Sequence, residues 1–207
     1  MITILDYGLG NLAAIANIYK PHNVPVKFAQ KPEDLEVVER IIIPGVGSFD
    51  TAMQLLNDSG MRPLLEQKVL TERIPVLGIC VGMQVLANSS EEGVRSGLGW
   101  IPGRVKKFRP RDGQSKIVLP HMGWNDVRPR SAHPLFHQLE SNAKFYFLHS
   151  FFFDCEHSQN TLAITDYGGE FSSGVFRDNI FGMQFHPEKS HHFGTRFLLN
   201  FAEIRAC

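Results

Sequence analysis

The sequence has few of the features that place a chain in a membrane, in an oxidising compartment or on nucleic acid. Only three of its 207 residues are cysteines, which fits a reducing compartment better than a disulfide framework. Basic and acidic side chains number 21 each and give a formal net charge of zero, and no basic cluster exceeds the short stretch 106–111. Binding to nucleic acid therefore has no electrostatic support.

The sequence also lacks long apolar runs and the histidine and cysteine spacings that are typical of metal sites. No apolar run approaches the ~20 residues that a membrane helix needs, and the first residues lack the charged start of a signal peptide. We therefore expect a cytoplasmic protein that does not contact a membrane. The histidines are scattered and adjoin no cysteine pair, so neither a metal site nor a cofactor is predicted. Without a nucleotide-binding glycine motif, any acceptor chemistry is expected on another subunit.

The distribution of apolar residues predicts one α/β domain over residues 1–207. Apolar residues make up 43% of the chain, enough for one sizeable core. Short apolar runs alternate with amphipathic segments in the first part, at 2–5, 24–28, 40–43 and 75–79. From about Val105, β-rich stretches follow at 144–153, 161–165, 174–176 and 179–185, and a helix is predicted at 193–204. This order predicts an open, flavodoxin-like mixed sheet, mainly parallel, with helices on both faces. Residues 109–115 read as a polar loop.

A cysteine between glycines is the first candidate catalytic residue. The segment GICVG at 78–82 follows directly on an apolar run, in the pattern of a nucleophile elbow, a tight strand-to-helix turn that exposes its central side chain. A helix beginning near Val81 would favour the thiolate form of Cys80. A lone cysteine after a strand is more often a small buried hydrophobic residue. We assign no chemical role to Cys155 or Cys207, which lack these surroundings.

A histidine and a glutamate two residues apart supply the second fragment. A residue before proline is extended, and side chains two apart in an extended segment share a side, so Glu188 is expected to reach the imidazole of His186. With Cys80 they predict a Cys-His-Glu triad, in which a thiolate attacks an acyl carbon. A lone His-Pro-Glu is more often a turn. The presence of both fragments at the ends of predicted strands favours an acyl-transfer hydrolase.

The segment PGVG at 44–47 is a candidate oxyanion site. It follows a short buried run, and Gly45 and Gly47 allow backbone N–H groups, including that of Val46, to turn toward a reacting oxygen. The amide of Val81, next after the cysteine, is the other candidate donor. In the absence of the triad, this segment would be an ordinary strand-to-helix turn.

These segments resemble the class I, or triad, glutamine amidotransferases, and more narrowly the glutaminase subunits of imidazole glycerol phosphate synthase. The resemblance covers nearly the whole chain. Its marks are DYGLGN at 6–11, PGVG at 44–47, GICVGMQ at 78–84, PHMGWN at 120–125, YFLHS at 146–150 and QFHPEKS at 184–190.

The resemblance implies hydrolysis of glutamine to glutamate, with ammonia carried inside a heterodimer to a barrel-shaped cyclase subunit. It implies that Cys80 forms a glutamyl thioester, that His186 acts as general base and then acid, and that Glu188 orients the imidazole. The implied glutamine-binding groups are the side chains of Gln84 and Glu92 and the backbone of His149, Ser150 and Phe151. The implied partner-facing residues are Asn11, Trp124 and Lys189.

Some of these residues also have simpler interpretations, and three functions stay open. Glu92 could belong to a polar loop, and Lys189 could be a solvated surface lysine. The first function is the histidine-pathway glutaminase subunit. The second is a paralogue that supplies ammonia for sugar amidation in surface-polysaccharide synthesis, which segments such as 88–93, 97–103 and 191–194 resemble. The third is a catalytically silent regulatory subunit, which the intact triad argues against.

Overall fold

The computed structural model describes residues 1–110 and 116–205. The helices are α1 (Leu12–Tyr19), α2 (Phe49–Asp58), α3 (Arg62–Glu66), α4 (Val81–Gln84) and α5 (His191–Glu203). The strands are β1 (Ile2–Leu5), β2 (Val26–Ala29), β3 (Ile41–Ile43), β4 (Val76–Ile79), β5 (Ser89–Ser90), β6 (Gly103–Lys107), β7 (His121–Asp126), β8 (Arg128–Pro129), β9 (Lys144–His149), β10 (Phe151–Cys155), β11 (Thr161–Asp166), β12 (Glu170–Arg177) and β13 (Ile180–Met183). Cys207 and most of the loop predicted at 109–115 lie outside the described residues.

One half of the main sheet is parallel and consists of the apolar runs of the sequence. Its order is β2-β1-β3-β4-β13, with parallel pairing throughout. Strands β1, β3, β4 and β13 are buried at every position, because parallel strands are normally covered on both faces. The four early strands begin and end within two residues of the predicted runs.

The other half of the main sheet is mostly antiparallel, which confirms the mixed α/β sheet. From β13 the order continues β12-β10-β6-β5, and β11 pairs with β12 and β8. Only β5 and β6 are parallel here, among the residues that the structure describes. The stretch predicted at 174–176 is the end of the longer strand β12.

The β-rich stretch at 144–153 forms two strands in different sheets. Strand β9 pairs with β7 in a separate two-stranded sheet, whereas β10 belongs to the main sheet. The break falls at Ser150. Aromatic residues stand on both sides of Ser150, so the stretch carries no alternation that would reveal such a break.

Aromatic side chains join the closing helix to the strands that carry the site. Phe145 on β9 stacks on Phe185 with ring centroids 4.0 Å apart, and Phe197 of α5 meets Phe185 edge-on at 5.4 Å. All three rings are fully buried. The segment after β13 is thereby packed between β9 and α5.

The carboxyl ends of β3, β4 and β13 lie side by side. Ile43 pairs with Gly78 and Met183 with Ile79, so the chain leaves all three strands at one edge of the sheet. Open α/β sheets bind ligands at this edge. Within the described part of the chain, no helix is long and apolar enough to cross a membrane.

Candidate active site

Cys80 occupies a strained turn between β4 and α4. Its backbone has φ 57° and ψ −113°, a conformation that side-chain-bearing residues rarely adopt and that often marks functional positions. The Cys80 N–H donates to the Met183 carbonyl over 2.8 Å, and the Met83 and Gln84 N–H groups donate to the Cys80 carbonyl over 3.0 and 3.1 Å. Helix α4 begins at Val81, as predicted, but ends after four residues.

The candidate oxyanion loop lies directly against this turn. A Cβ built on Gly82 would stand 1.9 Å from the Ile43 carbonyl oxygen, and one on Gly45 would stand 2.3 Å from the Gly82 nitrogen. Neither position has room for a side chain. The glycines therefore serve close packing, which holds the 44–47 loop against the start of α4 and beside the N–H of Val81.

His186 and Glu188 are in contact, although not through the extended geometry that the sequence suggested. His186 Nδ1 and Glu188 Oε1 lie 2.8 Å apart, and the two side chains are only 5% and 4% exposed. His186 is extended, with φ −101° and ψ 95°. The prediction for the following residues was wrong, because Pro187–Lys189 forms a 3-10 turn. This turn, and not strand periodicity, brings the carboxylate back to the imidazole.

The imidazole of His186 is held in its charged form by two neighbours. Burial alone lowers its pKa, but the hydrogen bonds and negative charges of Cys80 and Glu188 outweigh burial and raise the pKa to about 10. The second carboxylate oxygen of Glu188, Oε2, has no hydrogen-bond partner among the described residues. Among the described residues, the imidazolium of His186 is therefore the main positive charge that stabilises the Glu188 carboxylate.

A cavity of about 310 Å³ opens above these groups, a size typical of sites for one small molecule. Its lining residues are Val46, Gly47, Cys80, Val81, Gln84, Glu92, Pro120, Leu148, His149, Ser150, Phe151, His186 and Lys189. Predicted catalytic, oxyanion and glutamine-binding residues thus share one cavity. Glu188 and Gly45 do not line it: Glu188 contacts His186 and Gly45 packs against Gly82.

Glu92 is placed at the cavity by the first turn of α2. Its Oε2 accepts the Phe49 N–H over 2.8 Å. In return, the Asp50 carboxylate accepts the Val94 and Arg95 N–H groups, each over 3.0 Å. The loop that carries Glu92 is thereby fastened to the helix that follows the 44–47 loop. A carboxylate in a cavity is a suitable partner for an ammonium group.

Two buried residues contact the site although the sequence assigned them no role. The Gln184 Nε2 lies 3.7 Å from the Cys80 sulfur. The Tyr7 hydroxyl donates to the Pro44 carbonyl over 2.5 Å, and burial, together with the charge of Cys80, raises the pKa of Tyr7. The sequence signal for Gln184 was a glutamine at the end of an apolar strand, because a buried amide needs hydrogen-bond partners. No comparable signal pointed to Tyr7.

The three predicted partner-facing residues lie near the surface around the site. Asn11 caps α1, its side chain accepting the Ala14 N–H over 3.2 Å. Trp124 is 45% exposed and stacks on His191 with centroids 5.1 Å apart. Lys189 borders the cavity, and its Nζ stands 5.6 Å from the Tyr146 ring centroid, within cation–π range. Trp124 and Asn11 do not line the cavity.

The reactive groups that line the cavity are the thiol of Cys80, the imidazole of His186 and the carboxylate of Glu92. A thiol next to an imidazolium, beside backbone N–H groups, suits attack on an acyl carbon. Over residues 1–110 and 116–205, no group of three or more histidine, cysteine, aspartate or glutamate side chains could hold a metal ion.

Comparison with known proteins gives a family and several similar proteins. A model of the family "Glutamine amidotransferase class-I" matches residues 3–204. The chain is 57% identical to the imidazole glycerol phosphate synthase subunit HisH of Bdellovibrio bacteriovorus, over 99% of this chain and 100% of the relative. It is 43% identical to the subunit HisH 2 of Pseudomonas aeruginosa, with the same coverage. A glutamine amidotransferase from Thermotoga maritima has a similar fold, with a TM-score of 0.63, 19% identity and coverage of 96% of this chain and 80% of the other.

Proposed function

The chain belongs to the class I glutamine amidotransferases, as a HisH glutaminase subunit of imidazole glycerol phosphate synthase, and we propose that it acts through a Cys80-His186-Glu188 triad and passes ammonia to a cyclase subunit. The observation that carries the triad is the shared cavity at the ends of β3, β4 and β13. There the thiol borders the same space as the imidazole, and Glu188 Oε1 contacts that imidazole at Nδ1 over 2.8 Å.

The reaction begins when the thiol proton of Cys80 is transferred to His186. The raised pKa of His186, about 10, makes the imidazole the base that accepts this proton at neutral pH and the acid that later returns it. The thiolate attacks the side-chain amide carbon of glutamine. The oxygen of the tetrahedral intermediate takes N–H bonds from Val81 and the loop of Gly45, Val46 and Gly47.

Collapse of the intermediate releases ammonia and leaves a thioester. The imidazolium gives its proton to the leaving nitrogen, which departs as the carbon–nitrogen bond breaks. A water molecule then attacks the thioester while neutral His186 takes its proton. The carbon–sulfur bond then breaks, which releases glutamate and the Cys80 thiolate beside protonated His186, so one water is consumed for each ammonia formed. Glu188 orients the imidazole and stabilises its charged form.

The remaining polar groups of the cavity bind the two ends of glutamine. The Glu92 carboxylate pairs with the substrate ammonium. The backbone of His149, Ser150 and Phe151 holds the carboxylate end, and Gln84 supports that segment through its hydrogen bond to the Phe151 carbonyl. Both sets line the cavity with Cys80, so a single bound amino acid reaches the sulfur and both anchors together.

The cyclase subunit, which we take to be barrel-shaped, docks over the mouth of this cavity to form a heterodimer. Apolar side chains surround the mouth: Val46 and Leu148 line the cavity and are 42% and 39% exposed, and Met122 is 65% exposed. Met122 pairs with Leu148 across the β7–β9 sheet, so these two lie side by side. Apolar patches of this kind mark protein interfaces. Asn11, Trp124 and Lys189 complete the docking surface.

A cytoplasmic complex follows from this assignment, and one experiment tests it. Glutamate release from glutamine is measured for the chain mixed with the histidine-pathway cyclase from the same cell, with and without the nucleotide substrate of the cyclase. We expect low activity for the chain alone and strong stimulation by the nucleotide. The Cys80→Ala variant in the same mixture gives the background.

Other outcomes separate the remaining functions. Glutamate release without any response to the nucleotide, with both subunits folded, would favour the paralogue that supplies ammonia for sugar amidation. No glutamate release in any reconstituted complex would contradict the triad and would favour a silent regulatory role. Rapid turnover by the chain alone would contradict activation by a partner.

A further inference from the structure

A line of hydrogen bonds runs from the half-buried Asn125 on strand β7 into the interior and toward the cavity. The Asn125 amide oxygen accepts the Asp126 N–H over 2.8 Å, and the amide nitrogen donates to the Asp166 carbonyl over 2.9 Å. These two contacts fix which end of the amide is nitrogen. The same nitrogen lies 3.2 Å from His121 Nε2. Because an amide nitrogen only donates, His121 Nε2 accepts and carries no proton.

Two histidines continue the line in the same direction. His121 Nδ1 lies 2.9 Å from His149 Nε2, and His149 Nδ1 lies 2.7 Å from the Phe151 carbonyl. A carbonyl only accepts, so His149 donates from Nδ1 and accepts at Nε2. Burial lowers the pKa of His121 to about 4 and that of His149 to about 3, which keeps both rings neutral. The contact with Asn125 therefore fixes the tautomer of His121, and the contact with the Phe151 carbonyl fixes the tautomer of His149.

The line then crosses the cavity wall to the nucleophile. The Phe151 carbonyl also accepts the Gln84 Nε2 over 3.3 Å, and that nitrogen donates to the Gln184 Oε1 over 3.0 Å. With its oxygen occupied in this way, Gln184 presents its NH₂ group to the Cys80 sulfur, 3.7 Å away. The Gln184 side chain is fully buried, so water does not compete for this donor.

We propose that Gln184 is a positioning residue for the Cys80 sulfur, and that the line Asn125-His121-His149-Phe151-Gln84 keeps its amide in the orientation that donates. This inference rests on the proposed function, in which Cys80 is the nucleophile. An N–H group aimed at sulfur stabilises the thiolate more than the thiol, because the anion is the better acceptor. The reversed amide would place an oxygen against the thiolate and repel it.

The test measures the pH midpoint of Cys80 alkylation by iodoacetamide, followed by mass spectrometry of the Cys80 peptide, in the complex with the cyclase. Gln184→Met keeps length and burial but removes the donor. We expect its midpoint to rise by about half a pH unit or more and kcat/KM for glutamine to fall at least about tenfold, with ammonium-dependent synthesis retained. If Gln184→Met does not fold, Gln84→Met releases the Gln184 oxygen and is expected to raise the midpoint likewise.

A distant variant tests the line itself. His121→Phe keeps an aromatic ring between Phe147 and Tyr167, on which His121 stacks, but removes both hydrogen bonds. We expect a smaller upward shift of the same midpoint. The matched control is His133→Phe, which replaces a partly buried histidine outside the line and is expected to leave the midpoint unchanged.

An unchanged midpoint in folded Gln184→Met would overturn the positioning role. A shift in Gln184→Met without one in His121→Phe, or an equal shift in His133→Phe, would overturn the role of the line. Full alkylation of wild-type Cys80 that left glutamine-dependent synthesis intact would overturn the proposed function and this inference with it.

Discussion

The Tyr7 hydroxyl and the Pro44 carbonyl form a buried 2.5 Å hydrogen bond, which ties the loop after β1 to the candidate oxyanion loop. Tyr7→Phe removes the donor and leaves the carbonyl unpaired. We expect the free energy of unfolding to fall by about 1–3 kcal/mol. Glutamine-dependent synthesis should fall more than ammonium-dependent synthesis, because the role proposed for this loop is in the glutaminase reaction alone. Denaturant titration and the two synthesis assays measure these effects.

Tyr19 offers a matched control for that variant. Its hydroxyl also donates to a backbone carbonyl in the interior, that of Leu198, over 3.0 Å, but away from the cavity. Tyr19→Phe should lower stability by a similar amount and affect both syntheses alike. A fall in Tyr7→Phe that is equal in the two assays would show that its hydrogen bond serves stability alone.

Replacing the nucleophile should separate the two sources of nitrogen. Cys80→Ala is expected to abolish glutamine-dependent synthesis by the complex and to spare synthesis from added ammonium, because only thioester formation needs the thiol. Cys155→Ala is the control, since Cys155 lies on β10 outside the cavity lining. Loss of both activities in a folded Cys80→Ala complex would contradict the assignment of Cys80 as nucleophile.

Glu188→Gln should preserve the contact with His186 while removing the negative charge that keeps the imidazole protonated. We expect glutamine-dependent kcat to fall about 100-fold or more, with a much smaller change in KM, because the carboxylate does not line the cavity. The pKa of His186 should fall in the variant, and NMR titration of the ring measures it. An unchanged kcat in Glu188→Gln would show that the Glu188 carboxylate takes no part in catalysis.

Acid should destabilise the fold through the buried histidine pair. Burial lowers the pKa of His121 from 6.5 to about 4, so between these values the unfolded chain binds a proton that the folded chain does not. The free energy of unfolding therefore falls as pH falls through this window, by up to about 3 kcal/mol from His121. His121→Phe should reduce this pH dependence in urea titrations from pH 7 to pH 4. An identical pH dependence in both proteins would refute the prediction.

Lys189→Ala should weaken the link between the two subunits while leaving the triad in place. Lys189 follows the triad acid and faces both the cavity and the Tyr146 ring. We expect weaker affinity for the cyclase and less stimulation by its nucleotide. Lys144→Ala, at the other end of β9, serves as the control. Wild-type affinity and wild-type stimulated activity in Lys189→Ala would show that Lys189 is an ordinary surface lysine.

The sequence was most informative where local chemistry and local structure coincide. Glycines around Cys80 predicted the strained turn, and the apolar runs predicted the parallel strands that bring Cys80 and His186 to one edge. The sequence was least informative where contacts between distant segments determine the local structure. The 3-10 turn at 187–189 depends on packing between β9 and α5, and the partners of Gln184 lie on segments far apart in sequence. No local pattern encodes such contacts.

The fixed tautomer of His149 also bears on the fate of the product. Ammonia can act as a nucleophile only while it stays uncharged, and an acidic group along the cavity would trap it as ammonium. His149 borders the cavity, but its ring is neutral and its one N–H is directed at the Phe151 carbonyl. This part of the wall therefore has no proton to give. Ammonia released beside His149 is therefore expected to stay uncharged at this part of the wall, in the form that a nucleophilic reaction consumes.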